Sequence, residues 1–151
     1  MQKRFELLVE NQKLVGDLYL SDGFEKPPVM ICSHGKETNR KRGKWPKIAE
    51  RFPQEGTALS VAAGDERIKG LILLATPGYN MEEVCQRIKC PTLILHGYLD
   101  ELVPRHQAHL LKKYISNSEL IEIEGADHAF TNPEKLNEVF NYISDWFKKY
   151  W

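Results

Sequence analysis

Two alternating stretches open the chain. Over residues 4–10, Phe5, Leu7 and Val9 point one way and Glu6 and Glu10 the other. Over residues 13–20, Leu14, Leu18 and Leu20 lie opposite Val15, Asp17 and Tyr19. A period of two is that of strands with one covered face, and the short Asn11-Gln12 link predicts an antiparallel hairpin. Ser21-Asp22-Gly23 breaks the alternation. Beyond it come short continuous apolar runs: Val29-Met30-Ile31-Cys32, Leu71-Ile72-Leu73-Leu74, Leu93-Ile94-Leu95 and, more weakly, Leu120-Ile121-Glu122-Ile123. Runs apolar on both faces belong to central parallel strands covered by helices on each side.

Helical segments separate these runs. Asn80 through Arg87 opens with Asn80 and Glu83, spaced as a capping box. Residues 104–115 begin with Pro104, expected in the first turn. The last helix is the clearest: Asn132 as cap, Pro133 at the first position, then Leu136, Val139, Phe140, Ile143, Phe147 and Tyr150 at helical spacing. Lys148 and Lys149 stand at its C-terminal end, where the helix dipole favours cations. A hairpin followed by alternating strands and helices predicts an α/β fold, with a mainly parallel sheet and helices on both faces.

Composition narrows the classes. A chain of 151 residues suits one domain with a real core. Lys+Arg and Asp+Glu balance at 21 each, so no global field draws nucleic acid or an anionic membrane. The basic run Lys36, Arg40, Lys41, Arg42, Lys44, Lys47 has no aromatic interleaving beyond Trp45 and reads as a solvated loop rather than a nucleic-acid site. Cys32, Cys85 and Cys90 show no metal-ligand spacing and read as free thiols of a reducing compartment. His106 and His109, three apart with no third ligand nearby, also read as a solvated face, not a metal site. No apolar stretch approaches the ~20 residues of a membrane span, and Met1-Gln2-Lys3-Arg4 leads into no signal-peptide core. The expected location is cytoplasmic.

The chemistry gathers in loops beyond the carboxyl ends of the apolar strands, where ligands of such sheets collect. They are Ser33-His34-Gly35-Lys36, the stretch from His96-Gly97 through Asp100-Glu101 to Val103-Pro104, and the stretch from Glu124-Gly125 through Asp127-His128 to Phe130. In these residues the chain resembles the α/β-hydrolase family, closest to its small esterase and peptidase-like members. Leu93-Ile94-Leu95-His96-Gly97, with Asp100 and Val103-Pro104, looks like the family's acid loop. Gly125-Ala126-Asp127-His128 looks like its histidine loop, and Met30 through Gly35 like its oxyanion strand and turn. Arg67 through Ala75 looks like the strand that follows the nucleophile helix.

The resemblance implies a hydrolytic triad. An imidazole takes a proton from a hydroxyl and returns it later, while a buried carboxylate fixes its tautomer and stabilises its cation. Asp100 would be the carboxylate and His128 the base, in the chain order of this fold. The backbone N–H of Lys36 would contribute to the oxyanion hole. Asp127 and Glu101 read as turn or surface residues, and His34 as shaping its loop. No cofactor and no metal is implied.

The nucleophile is missing from the pattern. The family's serine sits in a Gly-x-Ser-x-Gly turn, and none of Ser21, Ser33, Ser60, Ser116, Ser118 and Ser144 has glycines two residues to either side. Ser60 lies nearest the expected place, but Thr57 through Asp65 reads like the helix beyond the turn. Trp45 through Glu55 reads as the first helix after His34-Gly35. The junction therefore falls near Gly56-Thr57, inside a single shortened domain spanning 1–151. Either the natural chain evolved without the intervening strands and elbow, or this is a shortened form of a longer parent. The strand at 29–33 would then pair directly with that at 70–75, with residues 45–63 as crossover, or expose an edge that a second chain covers. Two functions follow: a hydrolase of small ester, thioester or amide substrates, inactive or weak without its serine, or a non-catalytic oligomerising or binding domain derived from one.

Overall fold

The computed structural model describes residues 2–9, 12–19, 59–64, 66 and 68–151. They belong to two compact units, 1–58 and 59–151. The strand expected at 29–32, the Ser33-His34-Gly35-Lys36 turn, the helix at 45–55, the basic run and the junction at 56–57 lie outside the described residues. So does the pairing proposed for the strand at 29–33.

In the first unit, β1 (Gln2–Val9) and β2 (Gln12–Tyr19) pair antiparallel, Gln2 opposite Tyr19 and Val9 opposite Gln12. The hairpin is the one its alternation predicts. Gln12, expected in the link, instead begins the second strand.

The second unit alternates helix and strand: α1 (Leu59–Gly64), β3 (Leu71–Leu74), α2 (Glu82–Arg87), β4 (Thr92–Gly97), α3 (His106–Tyr114), β5 (Ser118–Ile123) and α4 (Pro133–Tyr150). The three strands form a parallel sheet in the order β3-β4-β5, in register Leu71–Thr92 and Thr92–Ser118. The middle strand is buried along its whole length, as a continuous apolar run between two neighbours and two helical layers must be. Ile94 joins Leu71, Leu73, Cys85, Ile88, Ala108, Leu111 and Ile115 in one core, shared by β3, α2, β4 and α3. Leu93 and Leu95 point to the opposite face because strand side chains alternate, and they too are fully buried. The helix α4 lies against β4 and β5. Burial raises the pKa of the Cys85 and Cys90 thiols, as befits packed thiols rather than reactive ones.

Helix ends show where local patterns gave way. Asn132 does cap α4, its side chain accepting the backbone N–H of Glu134 at 2.8 Å with Pro133 in the first turn. By contrast, Asn80 caps nothing. It takes a left-handed φ of 54°, and Met81 precedes α2 with no side-chain cap. Asn tolerates that backbone better than most residues, so the turn used it in place of the cap. Pro104 lies one residue outside the α3 cap, Arg105, and accepts the Gln107 N–H at 2.9 Å. On α4 the buried residues are Leu136, Val139, Phe140, Ile143 and Trp146, and Tyr150 remains exposed. Trp146 takes the buried place expected for Phe147 and Tyr150, with the Tyr150 and Trp151 rings tilted against it at 5.1 and 5.5 Å.

Candidate active site

The turns after β4 and β5 are laced together by their backbones. Gly97 ends β4, and a Cβ there would lie 2.4 Å from the Ala126 carbonyl and 2.6 Å from that of Asp127. Only a residue without a side chain lets the two turns approach this closely. The approach is then held by hydrogen bonds from Tyr98 N–H to Ile123 and from Leu99 N–H to Ala126, both 2.9 Å. Gly125 supplies a positive φ of 73° where the second turn reverses.

This lacing brings Asp100 and His128 together. The His128 Nδ1 lies 2.9 Å from Asp100 Oδ2. The other carboxylate oxygen, Oδ1, accepts the backbone N–H groups of Leu102 at 2.9 Å and Val103 at 2.8 Å. The Asp100 side chain is fully buried, while His128 keeps 20% of its side chain exposed. A carboxylate bonded through both oxygens is held in one rotamer. Because Nδ1 donates to it, the neutral His128 ring carries its lone pair on Nε2. Such a ring can take a proton from a hydroxyl, and the adjoining carboxylate stabilises the resulting cation.

The neighbours do supporting work. The Asp127 side chain accepts the Thr131 backbone N–H at 2.8 Å and also its hydroxyl. Burial works to raise the Asp127 pKa, but these bonds and those from the Ala129 and Phe130 backbone outweigh it and leave the carboxyl lowered. Glu122, the polar interruption in β5, stands opposite His96 in the sheet and takes both Arg105 Nε at 2.6 Å and Nη2 at 3.0 Å. The Arg105 hydrogen bond holds the Glu122 carboxyl below its usual range despite partial desolvation. Arg105 also stacks over the Tyr98 ring at 3.7 Å. His109 reaches Glu122 at 3.4 Å and His106 lies 2.6 Å from the Gln107 amide. Among the described residues no group of three or more His, Cys, Asp or Glu is placed to hold a metal. None of their helices is long and apolar enough to cross a membrane.

Sequence reasoning passed over two buried polar residues near this site. Gln107, fully buried, accepts the Gly78 N–H at 3.1 Å and so ties the turn after β3 to α3. His96, also fully buried, has Nε2 at 2.9 Å from the Val103 carbonyl. The first has no local signal, since its partner is 29 residues away. The second stood inside the acid-loop pattern, but only its neighbours carried a role there. Lys36 lies outside the described residues.

Comparison with known proteins agrees with this fold. A model of the dienelactone hydrolase family matches residues 56–151. A pimeloyl-[acyl-carrier protein] methyl ester esterase of Aeromonas salmonicida is 28% identical over 136 residues, 88% of this chain and 49% of its own length. This chain thus spans about half of that relative. Among solved structures, Est1E from Butyrivibrio proteoclasticus superposes with a TM-score of 0.78 at 16% identity, covering 97% of this chain and 98% of that one. The esterase domain of a Rhodothermus marinus protein gives 0.72 at 14% identity over 99% of both. At such identities the structural likeness speaks for the fold alone.

Proposed function

The chain belongs to the dienelactone hydrolase family of α/β-hydrolases, and we propose that it carries the acid–histidine half of an ester, thioester or amide hydrolase without the serine that completes it. In this reading Asp100 orients and supports His128, and His128 is the base. The Lys36 backbone N–H would face the oxyanion, and the whole of 1–151 is one shortened hydrolase domain. The observation that carries the reading is the 2.9 Å Asp100–His128 hydrogen bond on a fully buried carboxylate. Two further facts support the shortening. The family match begins at residue 56, beside the junction read from the sequence, and no serine stands in a Gly-x-Ser-x-Gly turn.

The substrate class we infer from the family is small esters, thioesters or amides, with no cofactor. Without a nucleophile, turnover falls by about 10⁶ relative to a complete triad. What the oxyanion hole and binding alone retain is ~10³–10⁴ over water. Incubation with a fluorophosphonate probe and a p-nitrophenyl ester tests this directly. The expected result is no stoichiometric label and only residual hydrolysis. Stoichiometric labelling of Ser60, lost on His128→Ala, would overturn the missing-nucleophile reading and make the chain a working hydrolase. Complete silence, with no residual hydrolysis above buffer, would favour the second reading, a non-catalytic binding or oligomerising domain. The absent elbow is what keeps that reading in play.

A further inference from the structure

His96 stands in the middle strand, fully buried, four residues before Asp100. Its Nε2 faces the Val103 carbonyl at 2.9 Å. A carbonyl can only accept, so Nε2 carries the proton. The other ring nitrogen, Nδ1, is buried without a hydrogen-bond partner. It must therefore be the lone-pair nitrogen, because a protonated ring would bury both a charge and a second N–H with nothing to receive it. Burial is the largest influence on this imidazole and pushes its pKa down, against the raising pull of the Val103 bond and of the Asp100 and Glu122 charges.

The two histidines around Asp100 thus hold opposite tautomers. His128 presents Nδ1–H to Oδ2 at 2.9 Å, whereas His96 Nε2 stays 3.6 Å from that same oxygen and gives its proton to the backbone. The bond falls on Val103, whose own N–H is one of the two backbone donors to Asp100 Oδ1. The turn between them closes with Asp100 N–H on the Gly97 carbonyl at 3.1 Å. Loosening the Val103 carbonyl would free the donor pair that fixes the carboxylate, and Oδ2 would then no longer meet His128 in one geometry.

We propose that His96 is a positioning residue: as a neutral Nε2–H imidazole it clamps the 100–103 turn, and so keeps Asp100 aimed at His128 while competing for neither of its oxygens. The proposal rests on reading Asp100 and His128 as the acid–histidine pair, but its test needs no turnover.

Long-range ¹H–¹⁵N correlation spectra of the imidazoles report each ring's tautomer in the full chain. In the unaltered protein at pH 7, His96 is expected as Nε2–H and His128 as Nδ1–H. His96→Gln places an amide donor where Nε2 was and should keep His128 in that single form. His96→Leu removes the donor and should drop the Nδ1–H share of His128 below half, with the amide spectrum of the β3–β5 sheet retained. An unchanged His128 in a folded His96→Leu chain would overturn the proposal, since packing alone would then explain His96. A charged or Nδ1–H His96 in the unaltered protein would overturn it too, whether or not the Leu variant folds. If the tautomers respond as expected while no ester is hydrolysed, the hydrolase reading fails and the positioning role stands.

Discussion

The two ends of the β3–β5 sheet are each closed over a glycine, but with different materials. At the carboxyl end, a side chain on Gly97 would strike the backbone carbonyls of Ala126 and Asp127 at 2.4 and 2.6 Å. At the amino end, Gly70 precedes β3, and a Cβ there would meet the rings of Trp151 at 2.5 Å and Trp146 at 2.9 Å. The carbonyls are locked by hydrogen bonds within and between the two turns. The rings are the far ends of side chains, and Trp151 is 54% exposed with room to swing. One end of the unit is therefore specified by position, the other by volume. An enzyme-like constellation belongs at the first, because a donor misplaced by about 1 Å can cost ~10² in rate, whereas an aromatic layer tolerates repacking of comparable size.

The sharpest way to break this contrast is Gly97→Ala. The carbonyls cannot yield without giving up the Leu99–Ala126 and Tyr98–Ile123 bonds, so the substitution belongs with the exceptional losses above about 4 kcal/mol. Urea denaturation should show that loss, and the His128 Nδ1–H resonance should disappear even where the unit stays folded. A loss under about 1 kcal/mol, with the resonance intact, would mean that the turns are less rigidly joined than their bonds imply.

Next in size is Trp146→Ala at the aromatic end. Truncating a buried Trp costs ~3–5 kcal/mol, with the value set by how far the site collapses. Here the exposed Trp151 and Tyr150 rings can fold inward, and the indole Nε1 is itself buried without a partner. Both facts argue for the low end, about 3 kcal/mol. The distinguishing result is that His128 keeps its tautomer in this variant. Its loss there would show that the two ends of the sheet are coupled rather than separately built.

What could be read from the sequence follows the same division. The parallel strands were legible because a run such as Leu93-Ile94-Leu95, apolar on both faces, has one comfortable place in a fold. Asn132-Pro133 was legible because a cap is local, satisfied two residues away at Glu134. The turns bearing Asp100 and His128 were legible as motifs, and the structure sets the two side chains side by side. Choices decided across space were not. Asn80 had a capping partner at the right spacing, yet the backbone required its left-handed φ instead. Phe147 and Trp146 are adjacent, and helical period alone could not say which would be buried; both rings meet Trp151, at 5.6 and 5.5 Å, and it is Trp146 that turns inward. The orphaned Nδ1 of His96 has no sequence signal, because it consists of a missing partner.

The smallest effect separates the ends by pH. In the unfolded chain His96 titrates near ~6.5. In the folded chain burial, the largest influence, lowers that value. Above ~6.5 both states hold a neutral ring, and His96 contributes no pH dependence. Below it the unfolded chain binds a proton that the folded chain refuses, so stability falls as pH falls, by at most about 1.4 kcal/mol per pH unit for one proton. The fall continues until the folded value is reached. Asp127 and Glu122, whose carboxyls are lowered in the fold, lose their contribution only as pH drops below ~4.5. Between about 4.5 and 6.5, then, stability curves of the unaltered chain and of His96→Gln should diverge. The Gln variant should show the shallower slope, because the titrating ring is gone while the clamp remains. Trp146→Ala should instead lower the whole curve without altering its slope, since an indole does not titrate. Parallel curves for the unaltered and Gln chains would mean that His96 is not held neutral by the fold, and the positional end of the sheet would lose its most deeply buried titratable group as an explanation.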